Sequence, residues 1–197
     1  MPTFIVADCT GHGVPGAVLS LMCNVLIRES FTMGQVNTPA EALDYIRDRL
    51  INLFKSQSEE RMIQDGMDIA FCVLNQDKNQ LYFSGGNNSC VIISNGELKV
   101  HKGDRQYIGY SDSIVPFTNH VVDLKKGDCI FLYTDGYNDQ FGGENFKKFS
   151  RKRLHQLLIE VSLLPMQDIR LALESEFDSW KGDAEQVDDV TIFGLRY

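Results

Sequence analysis

The sequence predicts an α+β fold, a meander of mainly antiparallel strands accompanied by helices that come in pairs. Three observations lead there. Short apolar runs separated by turn residues follow one another through the middle of the chain, from Met67 to Thr134. Two stretches of helical periodicity precede that meander and two follow it, so helices and strands are segregated rather than alternating. One apolar run, around Ile5, stands before the helices, and another, around Ile192, closes the chain. Such a count fits one antiparallel sheet covered by helix pairs, or two packed sheets.

Residues 4–7 are a short apolar run, read as a central strand. Cys9-Thr10-Gly11-His12-Gly13 is a tight turn whose glycines let backbone approach closely. Residues 14–33 have helical texture, with Leu19, Cys23, Leu26, Ile27 and Phe31 at helical spacing, Pro15 in the first turn and Gly34 as the stop. Thr38-Pro39-Ala40-Glu41 has the form of a capping box with proline at the first helical position. The helix it opens places Ala42, Ile46, Leu50, Leu53 and Phe54 on one face. Residues 56–64 are polar and read as a loop.

The meander begins with a strand at 67–74, a turn at Asp77-Lys78-Asn79 and a strand at 80–84. Gly85-Gly86-Asn87-Asn88 reads as a loop, and 90–94 as the next strand. Asn95-Gly96 is a strong hairpin signal into 97–101. After loop-like residues 102–113, strands at 115–123 and 128–134 pair around Lys125-Lys126-Gly127. Gly142-Gly143 breaks the chain. Residues 151–161 carry Leu154, Leu157, Leu158 and Val161 on a helical face, and 165–180 carry Ile169, Leu173, Phe177 and Trp180. A strand at 190–196 ends the chain.

At 197 residues one domain spanning 1–197 is expected, large enough for a sizeable core. A net charge of −8 repels phosphates, which excludes non-specific binding to nucleic acid or to an anionic membrane surface. The five cysteines, Cys9, Cys23, Cys72, Cys90 and Cys129, show no metal-type pair spacing and mostly sit in apolar runs, as buried reduced thiols of a cytoplasmic protein do. No apolar run is read as approaching the ~18–20 residues of a membrane span, so no membrane contact by this domain is expected. Met1-Pro2-Thr3 leads at once into a strand, which reads as a fragment cut from a longer sensor protein.

Three aspartates organise the chemistry. Asp8 follows the first strand, Asp135 follows the run Cys129-Ile130-Phe131-Leu132-Tyr133-Thr134, and Asp188-Asp189 precedes the last strand. Taken alone, Thr134-Asp135-Gly136 reads as a turn and Asp188-Asp189 as a solvated strand start. Three carboxylates, each joined to an apolar strand, read together as converging on cations, because buried unpaired carboxylates are costly. Oxygen donors of this kind suit Mg²⁺ or Mn²⁺, and two such ions about 3.5–4 Å apart can clamp a phosphoryl group. Gly11-His12-Gly13-Val14-Pro15-Gly16 lacks the following lysine of a P-loop, so that reading is set aside.

Five stretches, in order, resemble the metal-dependent PPM protein phosphatases, and most of all their bacterial SpoIIE-like branch, relatives of the type 2C phosphatases. They are Val6-Ala7-Asp8-Cys9-Thr10-Gly11-His12-Gly13-Val14-Pro15-Gly16-Ala17, Gly85-Gly86-Asn87-Asn88, Lys102-Gly103-Asp104-Arg105-Gln106 with Ile108-Gly109, Leu132-Tyr133-Thr134-Asp135-Gly136, and Asp188-Asp189-Val190-Thr191. The resemblance implies a β-sandwich flanked by helix pairs, here without its first strands. It implies hydrolysis of phosphoserine or phosphothreonine on a protein, using two Mn²⁺ or Mg²⁺ ions and a metal-bridging hydroxide. Asp8 would bridge both ions, the carbonyl of Cys9 would add a ligand, and Asp135 and Asp188 would complete the set. Asp189 is the alternative to Asp188, since neighbours in a strand point opposite ways.

The family carries a further acidic motif upstream of the position of Asp8, which this sequence does not contain. One metal site is therefore expected to lack a ligand, and the alternative reading is a catalytically impaired module that keeps the fold for binding or regulation. His12 is a candidate proton donor to the leaving oxygen, set against a role in fixing the turn. The basic run Lys147, Lys148, Arg151, Lys152 and Arg153 reads as a solvated helix start or a contact for an acidic partner. By resemblance, the substrate is a phosphorylated STAS-type anti-anti-sigma protein, the parent protein carries a sensor region that could attach it to a membrane, and helices near 14–54 support a homodimer.

Overall fold

A computed structural model describes residues 1–32, 37–55, 65–111 and 114–197. Gly34, expected to stop the first helix, and the expected loop at 56–64 lie outside the described residues. The chain divides into two compact units, the first made of residues 1–90 and 102–124, the second of 91–101 and 125–197.

The first unit contains strand β1 (Thr3–Cys9), helices α1 (Gly13–Thr32) and α2 (Pro39–Lys55), and strands β2 (Met67–Asn75), β3 (Gln80–Gly86) and β6 (His120–Asp123). Its sheet has the order β1-β2-β3-β6, with each pair antiparallel. The apolar faces of α1 and α2 meet one face of this sheet. Leu19, Cys23 and Leu26 from α1, Leu43, Ile46 and Leu50 from α2, and Met67, Ile69 and Phe71 from β2 form one buried cluster. The capping box forms in a shifted version. The Glu41 N–H donates to the Thr38 hydroxyl at 3.2 Å, while the Glu41 carboxylate accepts from the N–H of Asn37 at 2.7 Å.

Three expectations need correction in this unit. Residues 85 and 86 belong to β3 rather than to a loop. A methyl group at Gly85 would lie 2.2 Å from the Asn88 carbonyl oxygen, and one at Gly86 would lie 2.8 Å from that of Gln106. The glycines are there because backbone crosses the strand closely. The strand expected at 115–123 is only His120–Asp123. The Val115 carbonyl accepts from Arg47 and Gln106 side chains, and the Phe117 N–H donates to Asp44, so side chains take the bonds a ladder would need. Arg47 is itself buried, paired with Asp44 at 2.6 Å and set over the Phe117 ring. Helix α1 also departs from expectation. Over Gly13–Phe31 it is long and apolar enough, by length and composition, to cross a membrane. Its Leu19, Cys23 and Leu26 pack in the core, but only 28% of that stretch is buried, so most of the helix surface is bare.

The second unit contains β4 (Cys90–Ser94, from its second residue on), β5 (Glu97–His101), β7 (Cys129–Tyr133), a single-turn helix α3 (Gly136–Asp139), a small hairpin of β8 (Phe141–Gly142) and β9 (Lys147–Lys148), helices α4 (Arg151–Val161) and α5 (Met166–Lys181), and β10 (Ile192–Arg196). Its sheet has the order β10-β7-β4-β5. Asn95 and Gly96, both at positive φ, make the expected hairpin turn between β4 and β5. Leu154, Leu158, Ile169, Leu173 and Phe177 from α4 and α5 pack with Phe131 and Tyr133 of β7 and with Tyr137 and Phe149. The architecture is α+β, with antiparallel sheets and helices, as the sequence predicts. The last strand starts at Ile192, so Asp188 and Asp189 lie in the loop before it and the strand-alternation argument for choosing between them does not apply.

Candidate functional site

In the first unit, Asp8 lies near the end of β1, directly opposite Asp68 of β2 in the antiparallel register. Like charges facing each other across strands are destabilising, so the pair is an arrangement that a cation would relieve. Asp68 accepts a 2.8 Å hydrogen bond from the Asn87 side-chain amide. Asp68 belongs to none of the sequence motifs that mark Asp8, Asp135 and Asp188. Its position opposite Asp8 becomes visible only once the strand register is known.

The turn after Asp8 is fixed on both sides. The Thr10 N–H donates to the Gly66 carbonyl at 2.9 Å, and the Thr10 hydroxyl accepts from the Gly66 N–H at 3.0 Å. Gly11 and Gly13 take φ of +89° and +65°. A methyl group at Gly16 would lie 2.7 Å from the Gly11 carbonyl oxygen, so the start of α1 rests against the turn itself. The Cys9 thiol hydrogen-bonds the Cys23 thiol and the Ser20 side chain. The Cys23 bond leads in bringing the Cys9 thiol down to about 7 against the opposing effect of its burial. His12 is exposed on the turn.

In the second unit, Asp135 follows β7 and sits at the N-cap position of α3, with no capping bond from its side chain. Its neighbour Gly136 is required by what passes over it. A methyl group there would lie 2.2 Å from the Asp189 carbonyl oxygen and 3.4 Å from Cβ of Asp188. Thr134 clasps the same loop. Its N–H donates to the Thr191 carbonyl at 3.1 Å, and its hydroxyl accepts from the Thr191 N–H at 3.2 Å and donates to the Asp189 carbonyl at 3.4 Å. The stretches Thr134-Asp135-Gly136 and Asp188-Asp189-Val190-Thr191 are thus one interlocked structure.

Burial raises the Asp135 carboxyl above its ordinary value, and the negative charges of Asp139 and Asp188 add to that, opposed by Arg151. Asp139 is also pushed upward by burial, but hydrogen bonds from Lys148, at 2.7 Å, and Asn138, with the charges of Lys148 and Arg151, hold it below its ordinary value. Asp188 is partly tied down, accepting from the Asp189 N–H at 2.8 Å. It is Asp188, rather than Asp189, whose charge bears on Asp135.

The structure therefore brings Asp135 and Asp188 together in one unit and sets Asp8 opposite Asp68 in the other. Among the described residues, no three His, Cys, Asp or Glu side chains form a group able to hold a metal ion. The donor chemistry fits a hard divalent cation nonetheless: carboxylate and carbonyl oxygens only, with Asp135 in a place that disfavours its bare charge. A separate cleft of about 460 Å³ between α5 and β10 is lined largely by apolar side chains such as Met166, Leu173 and Ile192, and none of the proposed ligands lines it.

The sequence model described as Stage II sporulation protein E (SpoIIE) matches residues 3–197. A comparison with curated proteins finds no match. Among solved structures, the chain is similar to the SiaA-PP2C domain of Pseudomonas aeruginosa, with 27% identity and a TM-score of 0.89, covering 99% of this chain and 75% of that one. It is also similar to the PP2C phosphatase domain, with a fragment of the regulatory domain, of the cell fate determinant SpoIIE from Bacillus subtilis. There the identity is 16% and the TM-score 0.72, over 98% of this chain and 52% of that one, so this chain spans about half of that structure's length. A serine/threonine phosphatase from S. agalactiae matches with 17% identity and a TM-score of 0.67, over 100% of this chain and 87% of that one. The fold is that of the PP2C phosphatases.

Proposed function

Because this chain belongs to the SpoIIE family and is a protein phosphatase domain of the PP2C type, we propose that it hydrolyses phosphoserine or phosphothreonine on a signalling protein with two Mn²⁺ or Mg²⁺ ions. The observation that carries the reading is the interlock of Asp135 with the loop bearing Asp188, through Gly136 and Thr134. The carboxylates of Asp8, Asp135 and Asp188 and the carbonyl of Cys9 would hold the ions, with Asp189 as the alternative to Asp188. Bound divalent ions supply positive charge to the phosphoryl oxygens and lower the pKa of water.

The chain's own residues do the rest. The bond from phosphorus to the serine or threonine oxygen breaks as a water oxygen bonds to phosphorus, and the leaving oxygen needs a proton. His12, exposed on the turn after Asp8, is proposed to donate it, histidine being the commonest side chain in general acid–base catalysis. The Thr134 clasp keeps the Asp188 loop in place. The proposed substrate is a phosphorylated STAS-type protein of the anti-anti-sigma class.

Helix α1 supports the homodimer proposed for helices near 14–54. Val14, Val18, Leu21 and Val25 are exposed at 4-3-4 spacing, the seam of a two-helix contact. Sedimentation should show a dimer that Leu21→Glu converts to monomer, and a wild-type monomer at tens of micromolar would refute it. For the enzymatic reading, the test is Mn²⁺ binding by calorimetry together with hydrolysis of p-nitrophenyl phosphate. Mn²⁺ uptake that disappears in Asp135→Asn supports it, as does Mn²⁺-dependent turnover abolished by EDTA. A folded protein that takes up no Mn²⁺ overturns it.

A further inference from the structure

The chain carries −8 net charge, yet five of the seven residues from Lys147 to Arg153 are basic. Two of the five are already engaged. Lys148 pairs with Asp139 at 2.7 Å and lies over the Phe141 ring. The Arg153 guanidinium sits 4.2 Å from the Trp180 ring centroid and 5.5 Å from that of Phe149. Gly142 and Gly143 also seat the β8–β9 hairpin against Trp180, with the Gly143 N–H donating to the Trp180 carbonyl at 2.8 Å. The hairpin and the start of α4 are therefore anchored, and the other three cations stand on a fixed base.

Those three, Lys147, Arg151 and Lys152, are exposed. Beside them Phe146 is 67% exposed, at a φ of +46° that a phenylalanine rarely adopts. Its ring stacks on Phe141 with centroids 5.6 Å apart. The patch borders the acidic site of its own unit, since the charge of Arg151 bears on both Asp135 and Asp139.

We propose that Phe146, Lys147, Arg151 and Lys152 form a docking surface for an acidic segment of the phosphoprotein substrate, flanking its phosphorylated residue. The proposal deepens the phosphatase reading and rests on it. Charge complementarity selects the occupant: three exposed cations attract carboxylates and phosphate, while the acidic remainder of the chain repels a long polyanion such as a nucleic acid. Phe146 supplies an apolar anchor among the charges, the residue type that concentrates binding energy in such contacts.

Fluorescence anisotropy of the 197-residue chain with labelled phosphoserine peptides tests this without needing turnover. One peptide carries Asp and Glu flanks, the other Asn and Gln flanks. The acidic peptide should bind about tenfold tighter, as expected from a few exposed ion pairs, and the preference should shrink as salt rises. Combined Lys147→Glu, Arg151→Glu and Lys152→Glu should erase the preference, with the thermal midpoint followed to establish folding. Lys78→Glu, a single charge reversal on the β2–β3 turn, should leave it intact. Equal binding of the two peptides overturns the proposal. So does a preference that survives the triple reversal, a loss in Lys78→Glu as large as in the triple variant, or binding to phosphatidylglycerol vesicles but not to the peptide. Preferential binding of the acidic peptide with no hydrolysis of it under Mn²⁺ supports the surface and overturns the phosphatase reading instead.

Discussion

In the first unit, Asp8 and Asp68 face each other because seven successive strand pairs, from Thr3 with Val73 to Cys9 with Met67, set them in register. In the second, Asp135 and Asp188 meet because a loop lies over a glycine and is clasped by one threonine. The first arrangement is spread over a whole ladder. The second depends on two small residues. Strand register tolerates a lost contact, because every neighbouring pair repeats the same constraint. A loop held at one crossing has no such redundancy.

The largest effect should therefore come from Gly136→Ala. Its methyl group would meet backbone, the Asp189 carbonyl oxygen at 2.2 Å, which cannot swing aside as a side chain can. We expect a loss of about 3 kcal/mol in denaturant unfolding, within the range of severe single substitutions, and loss of Mn²⁺ binding. An alanine that leaves both unchanged breaks the comparison.

Next are the ligand substitutions themselves. Asp8→Asn and Asp135→Asn should each weaken Mn²⁺ affinity by at least the ~10–100-fold that residues supporting a metal's ligands cost. Calorimetry of the two variants side by side sharpens the comparison. Loss in Asp135→Asn alone would confine metal binding to the second unit.

Much of this was legible beforehand, and the misses have physical causes. Helices α1, α2, α4 and α5 and the Asn95-Gly96 turn follow from periodicity and turn chemistry, and motif alone names Asp135 and Asp188, which the structure brings near each other within one unit. Gly85 and Gly86 look like loop residues because sequence cannot show that backbone from residue 103 onward crosses them. Val115 and Phe117 look like strand residues, but Arg47, Gln106 and Asp44 occupy their backbone groups. The β8–β9 hairpin is two residues a side and is pinned by Trp180, too short for any period to register. Asp68 stands in no motif, because its importance lies in a cross-strand neighbour sixty positions away in sequence.

A smaller effect should follow from Asp68→Asn. Removing one of two facing carboxylates should stabilise the metal-free protein by about 0.5 kcal/mol, the scale of a cross-strand pair. Thermal melts in EDTA check this, and destabilisation would show that the Asn87 bond to Asp68 outweighs the repulsion.

The smallest effects should appear as opposing pH dependences in the second unit. The Asp135 carboxyl is raised by burial and by its acidic neighbours. Its contribution to metal-free stability is complete below the ordinary carboxylate range and is lost as pH rises through the raised value. His155, hydrogen-bonded to the Tyr133 hydroxyl at 2.7 Å, is lowered by burial and then by Arg151. Its contribution is complete above the ordinary histidine range and is lost as pH falls through the lowered value. Both contributions are small, because both groups are partly screened by solvent. Unfolding midpoints in EDTA, followed across the acidic range, should therefore be less pH-dependent on the low side of neutrality in His155→Gln. Asp135→Asn should remove the opposing slope. A His155→Gln profile that superimposes on wild type would show that this imidazole is held no differently in the folded and unfolded chains.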